Sequence, residues 1–247
     1  MGLAARPLVL CYHGVSDSWE HSLAVRPDAL DRHVASLLRR GYRPATALET
    51  VGAKAKLLHV TFDDAYRNVA TAVPILRRLG VPATVFACAS YAEDGRPLAV
   101  PELTDEAAAN PTHMATMPWD ELRALADDGV EIGSHTVSHP HLPQLADEEL
   151  DRELSEARER IESVLGRPCP VLAYPYGEAD ARVAAAARRA GYSAAFTLTR
   201  DADPKNPFLL PRLDLYRRDG FVRATLKTSS IRRPLSALLD AVHGRGR

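Results

Sequence analysis

The stretch Leu57-Leu58-His59-Val60-Thr61-Phe62-Asp63-Asp64 (LLHVTFDD, residues 57–64) is largely apolar for six residues and then ends on two adjacent carboxylates. An apolar run of this length without polar alternation is the pattern of a strand covered on both faces, as in a parallel sheet or barrel. The same pattern recurs in LVLCY (8–12), ATVFAC (83–88), VEIG (130–133), VLAY (171–174) and SAAFTL (193–198). Segments of helical period separate these runs. Leu30, Val34, Leu37 and Leu38 form one stripe that stops at Gly41, and Leu150, Leu154, Ala157, Ile161 and Val164 form another that ends at Gly166 and Pro168. Alternation of strand and helix predicts an α/β architecture with functional side chains at the C-terminal ends of the strands.

The 247 residues carry 31 basic and 32 acidic side chains, interspersed along the chain. That balance leaves no electrostatic footprint for a nucleic-acid partner. No linker, low-complexity tract or repeat divides the sequence, so one domain is expected over 1–247. Residues 216–247 are read as a C-terminal extension. The basic residues near that end, Arg217, Arg218, Arg223, Lys227, Arg232, Arg233, Arg245 and Arg247, are read as solvated surface. Cys11, Cys88 and Cys169 are odd in number and the first two lie in apolar runs, which argues against a disulfide framework and for a reducing compartment. The opening MGLAARPLVLCYHGV holds an apolar run too short to span a membrane and no small-residue cleavage site, so the expected location is cytoplasmic. Residues 91–118, with Pro97, Pro101, Pro111 and Pro118, are expected to form a long lid or binding loop.

Two like charges at a strand end repel unless a cation or a proton offsets them. Alone, Asp63-Asp64 reads as a helix cap or a turn. His135-Thr136-Val137-Ser138-His139 (HTVSH) changes the balance, because it also follows an apolar run and offers two imidazoles four residues apart. Two imidazoles and one carboxylate are the ligand set of open catalytic zinc sites. One aspartate then completes the metal set and the other is free to accept a proton from the activated water.

Together the two motifs resemble those of the polysaccharide deacetylases of NodB-homology type, carbohydrate esterase family 4. TFDDAY (61–66) is similar to the family's TFDDG, with Ala65 where Gly is usual, and HTVSH matches H-S/T-x-x-H. RNVATAVPILRRLGVPATVFA and MPWDELRALADDGVEIGSHTVSHPHL extend the likeness, which covers roughly residues 8–215. The resemblance implies a distorted (β/α) barrel and hydrolysis of N-acetyl groups from an amino sugar in a polysaccharide, oligosaccharide or lipid-linked glycan. It implies Asp63 as general base, and Asp64, His135 and His139 as ligands of a divalent metal, zinc first, with cobalt, nickel or manganese compatible.

Ala173-Tyr174-Pro175-Tyr176-Gly177 is similar to the family's R-x-P-Y-G and implies that the Tyr176 backbone N–H serves the oxyanion. Ala173 replaces the usual Arg, as in a branch that includes poly-N-acetylglucosamine deacetylases. Arg212, in LPRLDL (210–215), is the candidate substitute, against an ordinary surface salt bridge. His13, ending the first strand, resembles the acid of that branch's permuted arrangement, with Asp17 or Asp214 as candidates to orient its ring; the only late histidine is His243. His21, His33, His59, His113 and His141 are read as surface or packing residues, Trp19 and Trp119 as buried anchors, and Glu178 as a helix cap. The expected partner is an acetylated carbohydrate, with no nucleic acid, no transmembrane segment and the oligomeric state open. Rival readings are an O-acetyl esterase or a cyclic amidase on the same fold, and an inactive carbohydrate-binding protein.

Overall fold

The computed structural model describes residues 6–199 and 202–229. Arg232, Arg233, Arg245, Arg247 and His243 lie outside the described residues. Eight strands build the central sheet: β1 (Leu8–Tyr12), β2 (Leu57–Phe62), β3 (Ala83–Ala87), β4 (Glu131–Ser134), β5 (Val171–Ala173), β6 (Ala194–Thr197), β7 (Leu210–Pro211) and β8 (Leu213–Asp214). Every pairing is parallel, in the order β7-β6-β5-β4-β3-β2-β1-β8, and Arg43–Pro44 adds a short pairing to the start of β2. Because β7 pairs with β6 and β8 pairs with β1, the chain crosses from one edge of the sheet to the other at Arg212. The sheet is thereby drawn into a nearly closed barrel.

Helices cover its outside: α1 (Pro27–Arg39), α2 (Val73–Leu79), α3 (Trp119–Asp127), α4 (Asp147–Leu165), α5 (Ala181–Arg189) and α6 (Phe221–Lys227). None of the described helices is long and apolar enough to cross a membrane. The main core, including Leu10, Val60, Ile132, Leu154 and Ile161, lies between sheet and helices. Val9, Phe86, Val171, Ala173, Ala194, Phe196 and Leu210 form a second, smaller cluster that fills the barrel.

Side chains along a strand alternate between faces. The inward series Val9-Cys11-His13, Thr61-Asp63, Gly133-His135 and Leu210-Arg212 therefore climbs from apolar filling to polar side chains at the C-terminal rim. A Cβ at Gly133 would stand 2.5 Å from the Phe86 ring, so the inward path of β4 admits no side chain there.

Two parts differ from the sequence expectation. The strands β7 and β8 are each two residues long and interrupted by an arginine, which is too little apolar sequence to announce a strand. Residues 91–118 are structured: Pro101 and Pro111 open helical turns, Thr104–Ala109 is helical, and the segment bridges back through Tyr66–Thr116 and Pro97–Ala115. Proline's missing N–H costs nothing at the first turn of a helix, so prolines that suggested a loop here begin helices.

Candidate active site

β2 delivers the aspartate pair, and the backbone then separates it. Asp63 is still tied to the neighbouring strand, its N–H bonded to Tyr12 O at 2.9 Å. Asp64 and Ala65 follow with φ of 68° and 51°, two consecutive left-handed residues that swing the second carboxylate away from the first. Such conformations cost an L-residue roughly 1–2 kcal/mol, which explains why glycine suits position 65 better than the alanine found here.

Asp63 turns onto Arg212. Nη1 donates to Oδ1 at 2.6 Å and Nη2 to Oδ2 at 2.7 Å, with Nη1 also donating to Thr61 Oγ1 at 3.1 Å. Cys11 Sγ donates to Oδ2 at 3.4 Å. Arg212 stands over the Phe86 ring, its Cζ 5.5 Å from the centroid. Burial works to raise the Asp63 pKa, but the Arg212 guanidinium, with His135 and His13 beside it, outweighs burial and holds the carboxyl well below the usual carboxylate range.

Asp64 faces two imidazoles. Its Oδ1 lies 3.5 Å from His135 Nε2 and 3.4 Å from His139 Nε2, all three side chains being buried. His135 Nδ1 donates to Ala173 O at 2.8 Å, which fixes the tautomer and leaves Nε2 unprotonated toward Asp64. Burial pushes the His135 pKa down to about 4, so this ring is neutral, the form that ligates a cation. Asp64 Oδ1 is buried with no hydrogen-bond donor among the described residues. A tetrahedral ion with bonds of about 2.0–2.2 Å would space its ligand atoms about 3.3–3.6 Å apart, so these donors fit one divalent cation.

The loop bearing His139 is held from α4. Glu153 is buried and accepts from the Val137 and Ser138 N–H groups through Oε2, both at 2.9 Å, and from Ser138 Oγ through Oε1 at 2.7 Å. It secures a segment in which Thr136 and His139 both have positive φ, 71° and 65°.

Tyr176 follows β5 with φ 57° and ψ 4°. Among the described residues no acceptor takes its backbone N–H. Gly177 continues the left-handed turn at φ 68°, and a Cβ there would meet Leu198 Cβ at 2.4 Å. The Tyr176 ring stands edge-on to His139, 4.7 Å between centroids, and lies flat on His141 at 3.8 Å. Its hydroxyl donates to Glu102 Oε2 at 2.8 Å. His141 bridges Glu178 (2.9 Å) and Glu102 (3.3 Å), which raise its pKa. Residues 91–118 thus reach the site through Glu102.

His13, half-buried at the end of β1, lies with its ring 6.2 Å from that of Tyr216. Among the described residues neither Asp17 nor Asp214 hydrogen-bonds it: Nδ1 has no partner, and Asp17 pairs with Arg26 at 3.5 Å. Trp19 is buried with Nε1 on Glu106, and Trp119 is partly buried with Nε1 on Glu93. Sequence reading passed over Cys11, Glu102, Glu153 and the contacts of His141 and Glu178. Only Cys11 left a signal, two residues before His13 on an inward-facing series.

A family model described as polysaccharide deacetylase matches residues 50–195. That segment contains Asp63, Asp64, His135, His139 and Tyr176 and leaves out His13 and Arg212. The protein YxkH of Bacillus subtilis (strain 168), which carries a polysaccharide deacetylase name, is 24% identical over 197 residues, 76% of this chain and 63% of that protein. This chain thus spans less than two thirds of that relative's length. Among solved structures, the polysaccharide deacetylase BC0361 of Bacillus cereus matches with a TM-score of 0.71 at 22% identity, over 92% of this chain and 70% of that one. IcaB of Ammonifex degensii matches with a TM-score of 0.73 at 21% identity, over 91% and 98%. At these identities the structural likeness speaks for the fold.

Proposed function

Because the chain belongs to the polysaccharide deacetylase family, we propose that it is a metal-dependent hydrolase that removes N-acetyl groups from acetylated amino sugars of a polysaccharide, oligosaccharide or lipid-linked glycan. The observation that carries the reading is the divergence of the aspartates, Asp64 toward two imidazoles and Asp63 onto Arg212. A divalent ion held by Asp64, His135 and His139, zinc by ligand type with cobalt, nickel or manganese compatible, would supply Lewis acidity to the attacking water and the acetyl oxygen.

The chain's own groups do the rest. Asp63 accepts the proton of the attacking water; Arg212 holds the carboxylate by two parallel bonds and keeps it ionised well into acid. The Tyr176 N–H donates to the oxygen that gains charge as the carbonyl carbon turns tetrahedral; losing one such donor costs about 10²–10³ in kcat. His13 gives a proton to the departing nitrogen as the C–N bond breaks. Water and the amide become acetate and a free amine.

Acetate release from chitooligosaccharides and poly-N-acetylglucosamine oligomers, with and without chelator, is the direct test. Release from acetylxylan instead would favour an O-acetyl esterase, and none from any acetylated sugar a binding protein. Followed by bound manganese, an ion with no preference for thiolate, Asp63→Asn should keep the metal and lose turnover, and His135→Ala should lose both. Manganese lost in Asp63→Asn but retained in Asp64→Asn would overturn the division of roles.

A further inference from the structure

Cys11 takes no part in the mechanism above, yet it lies beside two residues that do. Strand alternation puts Val9, Cys11 and then His13 inside the barrel, and the β1–β2 register sets Cys11 next to Thr61, two residues before Asp63. One ligand atom from each of Cys11, His13 and Asp63 lies within 4.8 Å of the others.

We propose that Cys11, His13 and Asp63 form a second cation site, separate from Asp64, His135 and His139, that takes a thiophilic divalent ion such as zinc or cadmium. The spacing suits one ion. Sγ is 3.4 Å from Oδ2, and bonds of about 2.3 Å to sulfur and 2.0–2.2 Å to oxygen hold such atoms about 3.5 Å apart. The ion replaces the thiol proton on Oδ2, and that proton leaves to solvent as the Sγ–metal bond forms. Asp63 keeps both Arg212 contacts, since each carboxylate oxygen has a second lone pair. His13 Nδ1, buried without a hydrogen-bond partner among the described residues, shows that this imidazole has a nitrogen to give.

Arg212 sets the selectivity. A guanidinium 2.7 Å from Oδ2 opposes any cation held by charge alone. Magnesium and calcium are therefore rejected, and only ions stabilised by a thiolate bond enter. Where the hydrolase reading holds, occupancy withdraws both Asp63 and His13, so thiophilic metal beyond the first equivalent inhibits.

The test is cadmium titration of metal-stripped protein, following bound equivalents by equilibrium dialysis and the thiolate-to-cadmium charge-transfer absorbance. Wild type should bind two equivalents and show the band. His135→Ala should lose one equivalent and keep the band. Cys11→Ser, nearly isosteric and still a donor to Asp63, should bind one equivalent and lose the band, and Cys88→Ala should retain both. A single equivalent without a band in wild type, a band that survives in Cys11→Ser, or a band abolished by Cys88→Ala would each overturn the proposal. The wild-type stoichiometry needs no variant to fold, and acetate release by the one-equivalent form tests the hydrolase reading separately.

Discussion

Arg212→Met removes a guanidinium from beneath the proposed base while keeping a long apolar stem. The Arg212 side chain is 0% exposed and that of Asp63 4%, with contacts of 2.6 and 2.7 Å, so no solvent replaces the lost partner. Breaking a buried pair from one side leaves the other charge uncompensated and costs about 3–5 kcal/mol, a large share of an ordinary domain's stability. The pH dependence should change sign. In the wild type the folded Asp63 pKa lies below the unfolded value of about 3.9, so its stabilisation is present above that value and lost as pH falls toward the folded pKa. In Arg212→Met burial acts without the guanidinium and lifts the folded pKa above the unfolded one. The variant's penalty then grows as pH rises through about 4 and shrinks in acid. Urea unfolding of wild type, Arg212→Met, Asp63→Asn and the double variant, near neutral pH and near pH 4, measures both effects. The double variant has neither charge and should recover most of the loss, giving a coupling energy of roughly several kcal/mol. Coupling under about 1 kcal/mol, or a penalty that does not shrink in acid, would refute the reasoning.

Three further outcomes follow from particular contacts. Glu153→Gln presents an amide to donors that now meet a carboxylate; it should cost about 1.5–3 kcal/mol and weaken metal binding through the 136–139 loop, and unchanged metal affinity in a folded variant would contradict it. Ala65→Gly relieves a left-handed residue and should raise stability by up to about 1 kcal/mol after glycine's entropy is subtracted, seen as a higher Tm with turnover retained. Gly177→Ala drives a methyl into Leu198 beside the Tyr176 N–H. It should cost about 1–3 kcal/mol and lower kcat more than it raises KM, whereas wild-type kcat would detach that N–H from the chemistry.

The sequence yielded what periodicity and spacing encode. Continuous apolar runs announced six of the eight strands to within a residue or so at their ends, because strands covered on both faces leave no other pattern. The closing segment stayed hidden: a two-residue strand, an arginine and another two-residue strand hold too little apolar length, and their pairing is set by neighbours far away in the chain. For the site, motifs gathered the residues but could not show what turns them. The φ of 68° at Asp64 that parts the carboxylates is a backbone choice, and Glu153 reads as one more acid on a helix rich in acids. His141 looked like surface because its partners, Glu102 and Tyr176, are 39 and 35 residues away in the sequence; only the folded rim brings them together.

Arg212 joins the problem of the fold to that of the chemistry. It is the one residue between β7 and β8, and its N–H bonds Thr197 O at 3.1 Å, so its backbone helps close the barrel. Its side chain crosses the interior to Thr61 and Asp63 on β2. Position 173 serves the site differently: Ala173 O fixes the His135 tautomer, which any side chain there would allow, while its methyl packs with the small cluster that includes Ala194 and Phe196. An arginine at 173 would add a second cation to an interior whose Asp63 oxygens are both already paired with Arg212, and a buried charge without a partner is among the costliest features a core can hold. Alanine at 173 and arginine at 212 are therefore two halves of one solution: an arginine at 173 finds its carboxylate partner only where position 212 no longer supplies one.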